Sequence, residues 1–203
     1  MSQPNRLGSA NWNAAAVAVK RLAQAGASLF ISLLVWSAIA SAQGVSGLKV
    51  QDRSHDNDSI DNQLYADYEI FNTGTATVPT AVPLSSLTMR YWFTNENPND
   101  PLVFACDYAL VICSNITSKF VTLATPVALA NTFLEIGFTS AAGTLKPGQN
   151  SGEIQTRIHH QNYSNFLTTQ SYSFISDPSF VYKDTPTVTL YLNGVLVWGT
   201  EPK

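Results

Sequence analysis

The chain has 203 residues, of which 11 are lysine or arginine and 14 are aspartate or glutamate, so its formal charge is −3. A weakly acidic chain without clustered lysine and arginine excludes nucleic acid and anionic lipid as favoured partners, because both require concentrated positive charge. A neutral ligand is compatible with this charge.

The first 42 residues are predicted to be a secretory signal peptide. Lys20 and Arg21 precede an apolar run at residues 27–40, and Ala40-Ser41-Ala42 fits the small-residue cleavage pattern. The alternative is an amino-terminal membrane anchor, since the run is near the lower length limit for spanning a bilayer. Cleavage leaves residues 43–203, which suits one domain, and changes the formal charge to −6 because three basic residues are lost. The predicted location is extracellular.

Residues 43–203 show a period-two pattern of apolar side chains that predicts short β-strands. The predicted strands are Leu48–Gln51, Leu64–Asn72, Leu87–Thr94, Leu102–Cys106, Phe120–Leu123, Phe133–Phe138 and Glu153–Ile158, followed by a hairpin. Turn-forming residues separate the strands, and no segment after the leader has a sustained helical period. The pattern predicts an all-β protein, an antiparallel β-sandwich with jelly-roll topology.

Successive side chains of a strand point to opposite faces, so the pattern also predicts which residues enter the core. The residues predicted to face inward are Leu87, Met89, Tyr91, Phe93, Leu134, Ile136, Phe138, Ile154 and Ile158. The residues predicted to face outward include Arg90, Trp92, Phe133, Glu135, Gln155 and Arg157.

The chain is predicted to end in a β-hairpin. Asn193-Gly194 lies between two alternating apolar runs, and both turn positions of such a hairpin need a positive φ. The paired strands are predicted at Thr187–Leu192 and Val195–Gly199. The residues expected to share one face are Leu190, Leu192, Val195 and Val197.

The two cysteines, Cys106 and Cys113, are close together in a chain predicted to be exported, which indicates one disulfide that holds the loop Asp107–Ile112. The alternative is a metal site, for which no further soft ligand is nearby.

No catalytic motif is present, and the protein is predicted not to be an enzyme. The three histidines are His55, His159 and His160, and the last two are interpreted as a solvated pair at a strand end. Glycoside hydrolysis needs two carboxylates that face each other across a cleft. The carboxylates concentrate instead in the loop at residues 52–61, without a sign of an acid held in an apolar pocket.

Ten segments in order carry a family resemblance. They are Phe71-Asn-Thr-Gly74, Leu87-Thr-Met-Arg-Tyr-Trp-Phe-Thr94, Cys106-Asp-Tyr108, Cys113-Ser-Asn-Ile-Thr117, Phe133-Leu-Glu-Ile-Gly-Phe138, Leu145-Lys-Pro-Gly148, Ser151-Gly-Glu-Ile-Gln-Thr-Arg157, Tyr163-Ser-Asn-Phe166, Tyr172-Ser-Phe174 and the final hairpin. Over residues 48–202 the chain resembles family 3 carbohydrate-binding modules, the cellulose-binding domains of bacterial cellulases and scaffoldins. It is nearer the enzyme-associated cellulose-binding subgroup, because the scaffoldin insertion that carries an extra tyrosine is missing.

The resemblance implies a linear strip of aromatic and polar side chains that lies along a cellulose chain on the crystalline face. The strip comprises Asp107, Tyr108, Arg157 and Tyr163; the family usually has tryptophan in place of Tyr163. Asn62 and Gln155 match polar positions thought to bond neighbouring cellulose chains. In this view the protein is non-catalytic and needs no cofactor.

The resemblance also implies two further sites. A shallow groove on the opposite side would contain Arg90, Trp92, Phe133 and Glu135, although an Arg–Glu pair beside aromatic rings is equally compatible with a structural role. A structural calcium ion would be held by Thr94, Glu96, Gln170 and Ser171; here a serine replaces a carboxylate, and calcium prefers several carboxylates.

Three functions are compatible with these features. The first is a secreted protein that binds cellulose, with or without a separate glycoside hydrolase as partner. The second is an auxiliary module that assists a cellulase without binding cellulose itself. Retention of the strip residues argues against this function. The third is a sandwich for cell-surface or biofilm adhesion, which competition by cellulose would distinguish.

Overall fold

The computed structural model describes residues 47–53, 55, 57–74 and 81–203. The predicted signal peptide, residues 1–42, lies outside the described residues. The strands are β1 (Leu48–Arg53), β2 (Gln63–Asn72), β3 (Val82–Pro83), β4 (Leu87–Phe93), β5 (Leu102–Ala109), β6 (Ile116–Val127), β7 (Ala130–Phe138), β8 (Thr144–Leu145), β9 (Ile154–His160), β10 (Lys183–Asp184), β11 (Thr189–Leu192) and β12 (Val195–Trp198). The helical segments of these residues are short 3-10 turns, and none is long and apolar enough to cross a membrane.

The strands form two main antiparallel sheets. The first has the strand order β10-β1-β2-β9-β5, and the second has the order β12-β11-β4-β7-β6. The short strands β3 and β8 pair separately. Strands that are distant in sequence become neighbours, as β2 and β9 do, because the chain crosses repeatedly between the sheets. The predicted antiparallel sandwich is confirmed.

The inner faces of both sheets contribute to one hydrophobic core. The nine side chains predicted to face inward are all buried, none more than 7% exposed. The largest fully buried rings of this core are Tyr68, Tyr91, Phe93 and Phe166. Burying an apolar side chain of this size stabilises the fold by about 1.5–3 kcal/mol. Since the inward residues of both sheets pack in the same core, their burial holds the two sheets together.

The final hairpin forms at the predicted turn. Asn193 and Gly194 have φ values of 50° and 79°, as a two-residue hairpin turn requires. Leu190 is buried, but Val195 is 66% exposed. Val195 pairs with Leu192 and so shares its face as predicted, but it adjoins the turn on the edge strand β12 and is left uncovered there.

The predicted disulfide is confirmed: Cys106 on β5 is bonded to Cys113. β5 continues to Ala109, three residues beyond its predicted end, so the disulfide closes a loop that begins inside a strand. Both cysteines pack against the core from the side of the first sheet, which anchors the exposed residues between them.

Candidate functional site

The outer face of the first sheet carries the central arginine of the predicted strip. β9 alternates in burial, so that Gln155, Arg157 and His159 point outward. In the sheet register Arg157 lies opposite Tyr65 on β2 and Ala105 on β5. Because neighbouring strands are about 4.8 Å apart, side chains from all three strands can meet at Arg157.

A β-bulge in β5 brings two consecutive strip residues to the same face. Cys106 pairs with Thr156 and Tyr108 pairs with Gln155, which leaves Asp107 as the extra residue. A regular strand would turn either Asp107 or Tyr108 toward the core. With the bulge both are exposed, and 48% of Tyr108 is accessible to solvent.

Asp107 and Arg157 form an ion pair on this face. Arg157 Nε donates to both carboxylate oxygens of Asp107, at 3.0 and 2.9 Å. Hydrogen bonding to Asp107 raises the pKa of Arg157 above its ordinary value, so the guanidinium stays charged. Both partners remain about one-third exposed, which leaves their outer edges accessible to hydroxyl groups of a ligand.

The ion pair continues into β2 through Gln63, a residue that sequence reasoning did not assign to the site. Arg157 Nη1 donates to Gln63 Oε1 at 2.8 Å, and Gln63 Nε2 donates to the hydroxyl of Tyr65 at 2.8 Å. The imidazole of His55 stacks on the Tyr65 ring, with centroids 4.6 Å apart. Period-two alternation identifies Gln63 as outward, but no local pattern reveals that β2 lies beside β9.

Tyr163 is in the loop that follows β9 and is 48% exposed. Its φ is 56°, a left-handed conformation that costs a non-glycine residue about 1–2 kcal/mol. Hydrogen bonds to Asp100 hold the loop on both sides of Tyr163: Asp100 Oδ1 accepts from the backbone and side chain of Asn162 at 3.1 Å, and Oδ2 accepts from Ser164 Oγ at 2.8 Å. Although slight burial raises the pKa of Asp100, these bonds outweigh it and lower the pKa below its usual value.

The two adjacent histidines have different environments. His159 stacks against Tyr163, with centroids 4.5 Å apart and planes 3° from parallel. His160 is fully buried, stacks on Phe166, and lies within hydrogen-bond distance of Ser164 O and Asn95 Oδ1. The interpretation of a solvated pair is therefore wrong, because β9 continues through His160 and its alternation turns that ring inward.

The two remaining predicted polar residues, Asn62 and Gln155, lie on or next to the strands of the first sheet. Gln155 lies between Asp67 on β2 and Tyr108 on β5 in the sheet register, and Asn62 immediately precedes β2. Both side chains are half-buried. The first sheet therefore carries Asp107, Tyr108, Arg157 and Gln155 on one face, and Tyr163 joins that face by stacking on His159.

The predicted second groove lies on the outer face of the second sheet. Trp92 is opposite Phe133 and Arg90 is opposite Glu135 in the pairing of β4 with β7. Arg90 Nε donates to Glu135 at 2.9 Å, and its guanidinium lies 4.5 Å from the Phe133 ring centroid. Trp92 and Phe133 are only 5% and 7% exposed, so their rings offer little area to a ligand.

Two contacts run from the second sheet and its adjoining loops to the last residues of the chain. Tyr172 Oη donates to the carbonyl of Thr200, and the amide of Ala128 donates to the carbonyl of Lys203.

The carboxylate of Glu135, on the outer face of the second sheet, forms ion pairs with Lys119 and Arg90. Burial would raise the pKa of Glu135, but the hydrogen bonds from these two cations outweigh it and lower the pKa.

The residues predicted to bind calcium meet between the segments at residues 94–96 and 167–171. Thr94 Oγ1 donates to the carbonyl of Gln170 at 2.6 Å, and Glu96 Oε1 accepts from the amide of Leu167 at 3.3 Å. Glu96 Oε2 and Ser171 Oγ are buried and have no hydrogen-bond partner among the described residues. Two such oxygens beside a carbonyl suit a hard cation, but the set supplies a single carboxylate. In the described part of the chain no three acidic, histidine or cysteine side chains cluster as a metal site.

Comparisons with known proteins identify the fold and its relatives. A family model described as "Cellulose binding domain" matches residues 49–199. The chain is 36% identical over 163 residues to the beta-mannanase/endoglucanase A of Caldicellulosiruptor saccharolyticus, which covers 80% of this chain and 12% of that protein. It is 35% identical over 153 residues to an uncharacterized protein in the celA 5′ region of Paenibacillus lautus, which covers 75% of this chain and all of that protein.

Solved structures agree with the family match. The CBM3b of the major scaffoldin subunit ScaA from Acetivibrio cellulolyticus superposes with a TM-score of 0.69 at 32% identity, over 78% of this chain and 99% of that one. The chain thus spans the whole of a known module, but only about an eighth of the enzyme that it matches.

Proposed function

The chain belongs to the cellulose-binding domain family, the family 3 carbohydrate-binding modules, and we propose that it binds cellulose without hydrolysing it. The ligand would lie on the outer face of the first sheet. The observation that carries this proposal is the Asp107–Arg157 ion pair with an exposed tyrosine on the same face at Tyr108 and another at Tyr163.

These residue types match the chemistry of a β-linked glucan. A pyranose ring has an apolar C–H face with hydroxyl groups at its edges. A tyrosine ring can cover the C–H face, and each such contact stabilises the complex by about 1 kcal/mol. The ion pair can bond hydroxyl groups, since each partner keeps an exposed edge. Several weak contacts with one repeating polymer then add through their effective concentration.

The crystalline face is the form of cellulose that we propose as ligand. The exposed residues on β5 and β9 belong to the face of one sheet, with Gln155 beside Tyr108 in the register, and we take this face as an open surface. An open surface suits an ordered array of chains, whereas a single chain in solution is better enclosed by a groove.

The direct experiment is sedimentation of residues 43–203 with microcrystalline cellulose. We expect the protein in the pellet, and soluble cellulose fragments at millimolar concentration should release little of it. Protein that stays in the supernatant would contradict the proposal. Release of reducing sugar above background would contradict its non-catalytic part. Adhesion that cellulose does not compete for would favour the role in biofilm attachment instead.

Secretion is part of the proposal. The disulfide between Cys106 and Cys113 is typical of an oxidising compartment, and the leader pattern at residues 1–42 supports export. Sequencing of the amino terminus of the exported protein should begin at Gln43. Because a relative is a glycoside hydrolase with additional length, we also propose that the chain acts beside a hydrolase, either fused or separate.

We infer that Thr94, Glu96, Gln170 and Ser171 bind calcium weakly. One carboxylate in the set predicts a dissociation constant of roughly 10⁻⁴–10⁻³ M, as in other extracellular modules. When the calcium concentration is ten times the dissociation constant, calcium should stabilise the fold by about 1.4 kcal/mol. A thermal shift that EDTA abolishes and that Glu96→Gln removes would support this. An unchanged melting temperature at 10 mM calcium would contradict it.

A further inference from the structure

The contact between His159 and Tyr163 has no counterpart among the binding residues assigned above. The two rings are 3° from parallel with centroids 4.5 Å apart, a face-to-face arrangement with a lateral offset. Tyr163 is the more exposed member, at 48%, and His159 is half-buried on the sheet surface. The imidazole therefore lies beneath the tyrosine and covers one of its faces, and the other face is left for a ligand.

His159 is itself held in place by a single carbonyl that also holds Tyr163. His159 Nδ1 is 2.8 Å from the carbonyl oxygen of His160, and the amide of Tyr163 donates to the same oxygen at 2.9 Å. Because a carbonyl can only accept, Nδ1 must carry the proton in this contact. The carbonyl oxygen of His160, at the end of β9, therefore fixes both the imidazole of His159 and the backbone amide of Tyr163.

The backbone around Tyr163 does not by itself determine the ring plane. Asp100 binds Asn162 and Ser164, which fixes the chain on both sides, but the tyrosine side chain can still rotate about its first two torsions. The stacked imidazole removes that freedom before a ligand arrives. A ring that is already oriented loses less conformational entropy on binding.

We propose that His159 is a positioning residue that holds the ring of Tyr163 in the plane required to stack on a sugar ring of the polysaccharide. This rests on the proposed cellulose binding. His159 would not touch the ligand; it would act through Tyr163. The two residues together would form one binding unit at the end of the strip.

The test compares His159→Ala with His159→Phe in binding isotherms on microcrystalline cellulose. His159→Ala should weaken binding about three- to tenfold, the range expected for one stacked aromatic pair. His159→Phe keeps a flat ring under Tyr163 and should restore binding to within about twofold. In the Tyr163→Ala background, His159→Ala should have no further effect, because the residue that it positions is absent.

Phe180→Ala is the matched control. Phe180 is also in a loop, is 49% exposed and has a φ of 52°, close to the values of Tyr163, but it lies outside the strip. Its replacement should leave binding unchanged. If it weakens cellulose binding as much as His159→Ala does, the loss reports general surface hydrophobicity, and the positioning role is wrong.

A second readout does not depend on binding. In the free protein, His159→Ala should shift the Tyr163 ring proton resonances by removing the imidazole ring current, and His159→Phe should retain an upfield shift. Unchanged Tyr163 resonances in His159→Ala would overturn the stack. Wild-type binding by His159→Ala, while Tyr163→Ala binds poorly, would overturn the positioning role alone. Wild-type binding by Tyr163→Ala would instead overturn the proposed strip.

Discussion

The two outer faces of the sandwich carry the same kinds of residue in different states. The first sheet has Asp107 and Arg157 with exposed tyrosines, and the second has Arg90 and Glu135 with Trp92 and Phe133. Tyr108 is 48% exposed, whereas Trp92 is 5% exposed. An arginine–carboxylate pair beside aromatic rings thus occurs on both faces, with the rings accessible on one and covered on the other. The cover over the rings is therefore what distinguishes the proposed binding face from the second face.

The cause of the difference is local. On the first sheet a bulge and a loop raise aromatic residues above the strands, so solvent reaches them. On the second sheet Arg90 lies over Phe133 and Tyr191, with its guanidinium 4.3 Å from the Tyr191 ring centroid. Trp92 Nε1 donates to Thr189 Oγ1 at 2.9 Å, which ties the indole to the neighbouring strand. The second face is packed as a small core of its own.

The largest expected effect is the loss of stability in Trp92→Ala. Removing a buried indole should lower the free energy of unfolding by about 3–5 kcal/mol, from lost burial and the cavity left behind. Chemical denaturation of the variant and the parent measures this difference. A variant that unfolds like the parent but loses affinity for soluble carbohydrate would show that the second face is a binding groove. The proposed difference between the two faces would then be wrong.

The disulfide variant Cys106→Ser/Cys113→Ser should have the next largest effect. The bond closes a loop of eight residues, for which chain entropy predicts a loss of about 2.5 kcal/mol in stability. Binding should also weaken at temperatures where the variant is folded, since Asp107 and Tyr108 lie inside the loop. Denaturation and cellulose sedimentation, measured on the same samples, separate the two effects. Normal binding by the folded variant would mean that the β-bulge alone orients these residues.

Tyr163→Ala should weaken binding without a comparable loss of stability. Loss of one stacking ring should reduce the free energy of binding by about 1–2 kcal/mol. The free energy of unfolding should change by only about 0.5 kcal/mol, because the exposed ring loses one stacked contact, that with His159. Tyr163→Trp should bind at least as well as the parent, since its ring covers more of the sugar face. Adsorption isotherms and thermal melts test both halves.

The control for Tyr163→Ala must avoid the neighbouring histidines. His159 contacts the Tyr163 ring and His160 is buried, so a change at either would confuse binding with structure. Phe180→Ala matches Tyr163 in exposure and backbone conformation. If Phe180→Ala loses as much binding as Tyr163→Ala, adsorption is unspecific and the strip is not the site.

The alternating pattern predicted most of the fold but not the exposure of the outer faces. In β4 it identified every inward residue, because burial on one face repeats every two positions. It could not reveal the bulge at Asp107, where two successive residues point outward. It also could not reveal the cover over Trp92 and Phe133, since that cover comes from residues distant in sequence. Periodicity reports the face of a strand, not what lies on top of it.

The sequence predicted the main residues of the candidate site but not the residues that hold them in place. The strip residues came from resemblance to a family, and the structure brings all four into one region. Gln63, Asp100 and His159 were missed, because each acts through a contact with a residue from another segment. The pairing of β2 with β9 joins residues about ninety positions apart, and a single sequence holds no signal for that pairing.

Replacing one carboxylate by its amide on each face compares the two faces directly, and it has the smallest expected effects. Glu135→Gln should lower stability at pH 7 by about 1 kcal/mol, since it removes the charge from partly buried hydrogen bonds with Arg90 and Lys119. Asp107→Asn should change stability by less than about 0.5 kcal/mol, because its ion pair with Arg157 is exposed. It should nevertheless weaken cellulose binding, whereas Glu135→Gln should not.

The pH dependence of the Glu135 effect follows from its lowered pKa. The folded state holds the proton more weakly than the unfolded state, so the carboxylate stabilises the fold fully above the ordinary value of 4.5. That contribution is lost as the pH falls through the lower folded pKa. The difference between the parent and Glu135→Gln should therefore be present in full at pH 7 and decrease as the pH falls below 4.5. Urea denaturation at pH 7, 5 and 3.5 measures it. A difference that persists unchanged at pH 3.5 would mean that the side-chain shape at position 135, rather than its charge, holds the second face together.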